Sequence, residues 1–495
     1  MGIVIRQSIR SSIISYIGVA IGFFNVLWLN PYFLSTEQVG LFRLIQSSAY
    51  LLATFGQMGL AQSFIKFYPE FKNNKGLLTS ALIGGSAGFI LLCLVTLIFK
   101  QSIVGYFAME SPLFVEYFQL TLIVTYLIIL FQLLEAYSRS LLKIVPPTII
   151  RDVGLRVLTM IMLVLYGFEL VEFNTLVYSL IGIYGLATIA MFAFFKASNE
   201  LSLSLDFKFL KQGNLKRIFN YGLFSLIGAG GTQIILQIDS VMISGSLGLD
   251  ETGIYTIAFF IGIVIEMPKR AITQLSSALL AQSFNKNDMP AVKKLYQQTS
   301  INQLLIGSLL LVGIWANLNN IYNFIPNNEA YLRGFNVVLF IGLGKLSDMA
   351  FGTNGEIIVM SKYYKFNVVA VAILAILTIV LNLILIPTYG IEGAAIASFL
   401  AMLTFNLLKY FYVWAKFGIQ PFNFSTVKVV FIVGLVLAIN SWLGEFSNSI
   451  IDLLIRSAVI SLVLLGCAYL FKVSIEFNGL VNQLLEKLKL RKPNR

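Results

Sequence analysis

Asp250-Glu251-Thr252-Gly253-Ile254-Tyr255 restarts a pattern that Glu37-Gln38-Val39-Gly40-Leu41-Phe42 sets near the N-terminus. Each hexamer reads acid-x-x-Gly-apolar-aromatic, with an apolar run before it and a long one after it. The stretch Arg217 to Phe284, which holds the second copy, carries polar side chains inside those runs. Gln233, Gln237 and Asp239 precede the hexamer, and Glu266, Lys269 and Arg270 follow it. A repeated pair of membrane segments with ionisable groups inside them predicts two lobes around a shared path.

Composition fixes the solvent. Of 495 residues, 58% are hydrophobic and 12% charged, with a mean hydropathy of +0.84. Soluble domains keep about 25% charged residues, so a soluble enzyme is excluded. The apolar runs are about 20 residues long, the length of a helix crossing a hydrocarbon core of about 30 Å. They lack the alternation of barrel strands. There is no histidine, and Cys93 and Cys467 both lie in apolar runs. A disulfide scaffold, a Cys/His metal site and a histidine proton relay are therefore excluded, and the cysteines read as small buried hydrophobes. No Walker A sequence is present, so nucleotide hydrolysis is not expected. The run from Ser11 to Phe33 exceeds the roughly 7–15 residues of a signal-peptide core and is expected to stay as the first span.

About 14 spans follow from the apolar runs. Alternate loops hold 27 of the 35 Lys and Arg, while the opposite loops hold Lys100 and Arg333 against ten acids. This asymmetry places both termini in the cytoplasm. The net charge of +12 thus belongs to topology and to anionic membrane lipids, and nucleic acid is not an expected partner. The predicted fold is an all-α integral membrane protein. It has an N-lobe at 1–196 (spans 1–6), a cytoplasmic linker at 197–217 and a C-lobe at 218–414 (spans 7–12). Two extra helices at 415–471 and a basic amphipathic tail at 472–495 complete it. In the tail, Phe477, Leu480, Val481, Leu484, Leu485 and Leu488 fall at helical spacing, ahead of Lys487, Lys489, Arg491 and Lys492. That is the pattern of a helix lying on an anionic leaflet.

The intramembrane charges are the candidate site. Arg43 lies about 9 Å into its helix, counted from the outer end at the Ser35–Glu37 turn, where it either snorkels or faces a cavity. Glu135 and Arg139 are four apart and can pair, as can Asp152 and Arg156. Gln233 and Gln237 form a stripe with Gly230, Ser240 and Ser244, fit either to join helices or to line a cavity. Asp239 has no base one turn away on its helix. Span 253–283 is expected to kink at Pro268, with Glu266 and Arg270 on one face and Lys269 alongside. Lys345, about 17 Å deep, with Asp348 one turn on, favours a water-filled cavity. Arg456 is expected to snorkel. Six bases and seven acids make this set nearly neutral, and local pairs (Glu266 with Arg270, Lys345 with Asp348) are expected to neutralise part of it. Arg43, Arg270 and Lys345 facing inward without neutralisation would mark an anionic substrate.

The loops are too short for a catalytic domain, and a rocking transporter is the inference. On Glu37–Phe42, Gly56-Gln57-Met58-Gly59-Leu60, Ile65-Lys66-Phe67 and Asp250–Tyr255, the chain resembles the polysaccharide (O-antigen type) flippases of the multidrug/oligosaccharidyl-lipid/polysaccharide exporter superfamily. The resemblance covers nearly the whole length. It implies alternating access in a bacterial cytoplasmic (inner) membrane. The cargo would be an oligosaccharide on undecaprenyl diphosphate, moved from the cytoplasmic to the outer leaflet for cell-surface polysaccharide biosynthesis. It also implies contact with other polysaccharide-assembly proteins. Cations at Arg43, Lys269, Arg270 and Lys345 would meet the diphosphate or acidic sugars, with Gln233 and Gln237 beside them. Asp239, Glu266, Asp348 and Glu135 would be pairing or coupling acids. No cofactor is expected, and the coupling ion, H+ or Na+, is left open. Related lipid II flippases carry arginines in the helices where Arg43 and Arg270 lie, but span 1 lacks their first-helix arginine. The alternatives are a cation-coupled multidrug or small-molecule exporter using Asp239 and Asp348, and a membrane polysaccharide polymerase.

Overall fold

The computed structural model describes residues 2–211, 213–444 and 446–489, and every regular element among them is a helix. Lipid offers no partner for backbone N–H and C=O groups, so apolar segments of this length satisfy them internally. Nine helices among the described residues are long and apolar enough to cross a bilayer. Asn328–Ala350 and Asn354–Met360, bent by 49°, make a tenth if taken together. One of the nine, Lys365–Phe417, would reach about 80 Å at ~1.5 Å per residue, well beyond a bilayer core. Its backbone leaves helical geometry at Gly390 (φ 60°, ψ −140°). It therefore contains the two spans expected at 366–386 and 391–414.

Other expected spans are segmented. Span 40–65 is two helices, Thr36–Gly56 and Leu60–Phe71, joined by a turn in which Met58 and Gly59 take φ of 51° and 70°. Span 253–283 breaks at a 3-10 turn, Val264–Glu266. Pro268 falls in the first turn of the next helix, Met267–Asn285, where its missing N–H costs nothing.

The chain divides into two compact units, Met1–Ile257 and Ala258–Arg495. In the first, the helix Phe118–Ser140 packs against Thr36–Gly56, Leu60–Phe71, Leu77–Ile98 and Phe173–Ala197. It buries Val124, Ile128, Ile129, Leu133 and Leu134. Between helices in lipid, close approach counts for more than apolarity, and the repeated hexamers supply it. A Cβ at Gly40 would stand 1.9 Å from the Leu249 carbonyl oxygen, and one at Gly253 2.0 Å from that of Thr36. The Thr36 hydroxyl donates to Asp250 at 2.5 Å. The two copies of the motif thus meet, glycine beside glycine, and only glycine fits at either place.

In the second unit, Met289–Ala316 packs against Met267–Asn285, Phe335–Ala350, Phe424–Trp442 and Ser449–Leu470. Arg456 does not snorkel. It is buried, donating to both carboxylate oxygens of Asp452, to the Asn440 side chain at 3.0 Å and to the Gly444 carbonyl. Asp452 lies one turn before it on the same helix and, with Asn440 of Phe424–Trp442 and the Gly444 carbonyl, gives the guanidinium a cage within the protein. The helix Ile475–Lys489 exposes Leu480, Leu484 and Leu485. Arg491 and Lys492 of the expected tail lie outside the described residues.

Candidate functional site

Each unit contains a polar cluster among apolar helices. In the first, a cavity of about 410 Å³ runs from Tyr50 and Tyr184 to Arg139 and Arg151. Its wall includes Gln57, Gln62, Gln132, Glu135 and Gln233. The buried Glu135 accepts from Arg139 at 2.7 Å and also from Arg151. Arg151 in turn holds Asp152 at 2.8 Å, and Asp152 accepts from Ser15 at 2.6 Å. The side chain of Arg139 stays half exposed, so its guanidinium keeps donors for a ligand. Gln57 donates to Gln132 at 2.8 Å. The amide oxygens of Gln57, Gln62 and Gln233 are buried without a protein donor.

The helix Leu60–Phe71 forms one wall of this cavity through Ala61, Gln62 and Ile65. Leu60, Ser63, Phe64 and Phe67, on its other side, line a second space of about 370 Å³ with Leu77, Ala81, Gly84, Ala87, Leu91, Phe209, Leu215 and Phe219. That groove is almost wholly apolar. The turn at Met58 and Gly59 re-aims the helix so that one element separates two chemically opposite spaces.

In the second unit the charges cross between helices. Lys269 pairs with Asp348, and Lys345 with Glu266 at 2.6 Å. The local pairs expected at Glu266–Arg270 and Lys345–Asp348 are replaced, and for the first the 3-10 turn is the reason. It ends the helix at Glu266 and removes the continuous i,i+4 geometry on which a pair with Arg270 depends. Arg270 is exposed. Lys409, counted by sequence with the loop bases, is 5% exposed. The helix continues to Phe417, which leaves Lys409 about 12 Å inside its end.

Arg43 is in the first unit but away from the cavity lining. Its Nε donates to Ser240 at 3.0 Å and a terminal nitrogen to the Leu236 carbonyl at 3.4 Å, joining Thr36–Gly56 to Asn214–Leu247. Asp239 lies within its electrostatic reach and accepts from Tyr255 at 2.7 Å. Gln233 lines the cavity; Gln237, one turn on, does not. The structure thus brings Glu135 and Gln233 together in one place, and Lys269, Lys345, Glu266 and Asp348 in another. Sequence reasoning missed Gln57, Gln62, Gln132 and Arg151 as cavity residues. Gln132, Glu135 and Arg139 share one helical face, a signal that was there to read.

A family model described as polysaccharide biosynthesis protein matches residues 5–277, more than half of the chain. The chain belongs to the polysaccharide biosynthesis protein family. A relative from Haloferax volcanii, the probable low-salt glycan biosynthesis flippase Agl15, is 23% identical over 91% of this chain and 92% of its own length. Among solved structures, the family member is similar to the lipid II flippase MurJ in an inward closed conformation. The TM-score is 0.73 and the identity 17%, over 94% of this chain and 98% of that one. It is also similar to an inward-facing multidrug resistance transporter of the MATE family, with a TM-score of 0.64 and 11% identity over 82% and 94%. The fold is that of these multi-pass membrane transporters.

Proposed function

We propose that the chain moves a lipid-linked oligosaccharide across the cytoplasmic membrane, the glycan carried on an undecaprenyl-type polyprenyl diphosphate. The observation that carries this reading is the pair of spaces divided by Leu60–Phe71, polar with arginines on one side and apolar on the other. A lipid-linked glycan has the same division. Sugar hydroxyls are donors suited to the unsatisfied oxygens of Gln57, Gln62 and Gln233. Guanidinium forks at Arg139 and Arg151 match phosphate oxygens, and the groove is shaped for isoprenoid methyls. Family membership supports the same reading. The expected inward-facing trio of Arg43, Arg270 and Lys345 does not: Arg43 ties two helices together and Lys345 holds Glu266. The phosphate site belongs instead at Arg139 and Arg151. The exporter alternative uses Asp239 and Asp348 as coupling acids, and both carboxylates already hold protein partners.

The test is flipping of a fluorescent undecaprenyl-diphosphate disaccharide in vesicles containing the full-length protein. Arg139→Gln removes a part-exposed cation, and Ala87→Trp fills the groove. Each is expected to slow flipping about tenfold, the loss of one charge-assisted contact or of one well-fitted tail. Wild-type rates in both variants would overturn the reading.

A further inference from the structure

Six asparagines fall within the twelve residues 317–328. Asparagine competes with the helix backbone for hydrogen bonds and gains nothing among apolar side chains, so helix formation does not account for them. Three of them, Asn319, Asn320 and Asn323, line a third cavity, of about 650 Å³, that the flippase reading does not use. It lies wholly within the second unit, where Met289–Ala316, Leu318–Asn323 and Phe424–Trp442 end and Ser449–Leu470 begins. Trp442, next to the lining residue Leu443, is 91% exposed, as suits an indole anchored among lipid headgroups. On the topology that puts both termini in the cytoplasm, this is the outer end of the helices.

Asp452 and Arg456 are the buried part of the lining, and their closed pair fixes the amides around them. A guanidinium only donates, so Asn440, 3.0 Å away, gives Arg456 its oxygen and keeps its NH2 group as a donor. An ionised carboxylate only accepts, so Asn320 gives Asp452 its NH2 group and keeps its oxygen as an acceptor. Neither remaining group bonds to another group among the described residues. Asn323 closes the wall by donating to Ser449 at 3.1 Å, and Asn319 is exposed beside it. Trp315, set edge-on to Phe335 with ring centres 4.9 Å apart, adds a fixed aromatic surface. Among the described lining residues only Asp452 and Arg456 are ionised, and each compensates the other. The cavity is therefore polar and neutral.

We propose that this cavity binds a neutral sugar unit, of mono- or disaccharide size, at the outer end of the second unit. A sugar hydroxyl donates and accepts at one oxygen, so neighbouring hydroxyls meet the Asn440 donor and the Asn320 acceptor together. The C–H face of a sugar ring suits an aromatic side chain such as Trp315. An anion does not fit, because the charge of Arg456 is already matched and the amide oxygen of Asn320 repels it. The volume falls within the roughly 300–1,000 Å³ of small-molecule sites. That the sugar belongs to the lipid-linked glycan, held at the outer face after crossing, rests on the flippase reading; the site itself does not.

The test titrates full-length protein in lipid nanodiscs with maltose, lactose and N,N′-diacetylchitobiose, reading saturation transfer to the sugar ring protons by NMR. Asn440→Asp keeps an oxygen for Arg456 and replaces the donor with a second acceptor. Wild type is expected to bind at least one of the three sugars. Asn440→Asp is expected to bind it about tenfold more weakly, the loss of one hydrogen bond that leaves its partner unpaired. Asn319→Leu, at an exposed position, is expected to weaken binding about threefold, and serves alone where Asn440→Asp is not monodisperse. Galacturonate is expected not to compete. Unchanged binding in both variants, binding of none of the sugars, or tighter binding of galacturonate overturns the proposal. Competition with undecaprenyl-diphosphate disaccharide then decides the source of the sugar. Displacement supports the lipid-linked glycan, and a soluble sugar that stays bound overturns that assignment. Flipping is measured separately in vesicles, so a protein that binds the sugar at this site and flips nothing overturns the flippase reading alone.

Discussion

The two units solve one problem in different ways. Each keeps ionised groups among apolar helices, but the first cluster uses arginines at the edge of a cavity, and the second, apart from the caged Arg456, uses lysines packed inside. Arg139 and Arg151 share Glu135, and the half-exposed Arg139 leaves donors over. Lys269 and Lys345 are each matched to one acid, their side chains 15% and 14% exposed. A guanidinium is a permanent planar fork, whereas an ammonium is a point charge that can be switched off. On the reading proposed above, the first cluster suits recognition of an anionic ligand, while the second holds its charges in closed pairs.

The strongest way to break that contrast is Asp348→Asn. Removing one partner of a buried pair leaves the other uncompensated and costs about 3–5 kcal/mol, here for Lys269. Thermal unfolding in detergent is expected to fall by several degrees, while Arg139→Gln in the other unit leaves it within about one. Equal shifts would mean that the second cluster is no more buried in effect than the first.

Next in size is the pair Lys345–Glu266. Lys345→Met and Glu266→Gln are each expected to destabilise, and the double variant to recover much of the loss. A coupling of about 1–3 kcal/mol is expected for groups in contact. If the losses simply add, Glu266 has another partner and the crossed pairing is wrong.

The membrane class, the helical architecture and the duplicated hexamers were legible in the sequence, because bilayer thickness and apolar run length are tied directly. That the two hexamers would touch was not, since the contact Gly40 makes with Leu249 depends on packing between segments over 200 residues apart. Pairing followed the same division. Glu135 with Arg139 lies within one unbroken helix and was readable. Lys345 with Glu266 runs between helices and depends on a 3-10 turn that no periodicity reveals. Lys409 was lost for a simpler reason: a base near the end of an apolar run reads as a loop base, and the helix continued past it.

The smallest effect gives the sharpest test, because its two signs differ. Gln62 and Ser63 are neighbours on opposite faces of Leu60–Phe71, one toward the polar cavity and the other toward the apolar groove. The Ser63 hydroxyl is satisfied, donating to the Ile218 carbonyl at 3.0 Å, while the Gln62 amide oxygen is buried without a donor. An unsatisfied buried acceptor costs about 1–3 kcal/mol. Gln62→Leu is therefore expected to raise thermal stability slightly while lowering the flipping rate of a glycan-bearing probe about fivefold. Ser63→Ala, which removes a made hydrogen bond worth about 1 kcal/mol, should lower stability and leave the rate nearly unchanged. Gln62 then carries a cost in the folded protein that only a hydroxylated ligand offsets. If Gln62→Leu instead loses stability, the oxygen has a partner in the resting protein, and the polar wall is structural packing with no part in recognition.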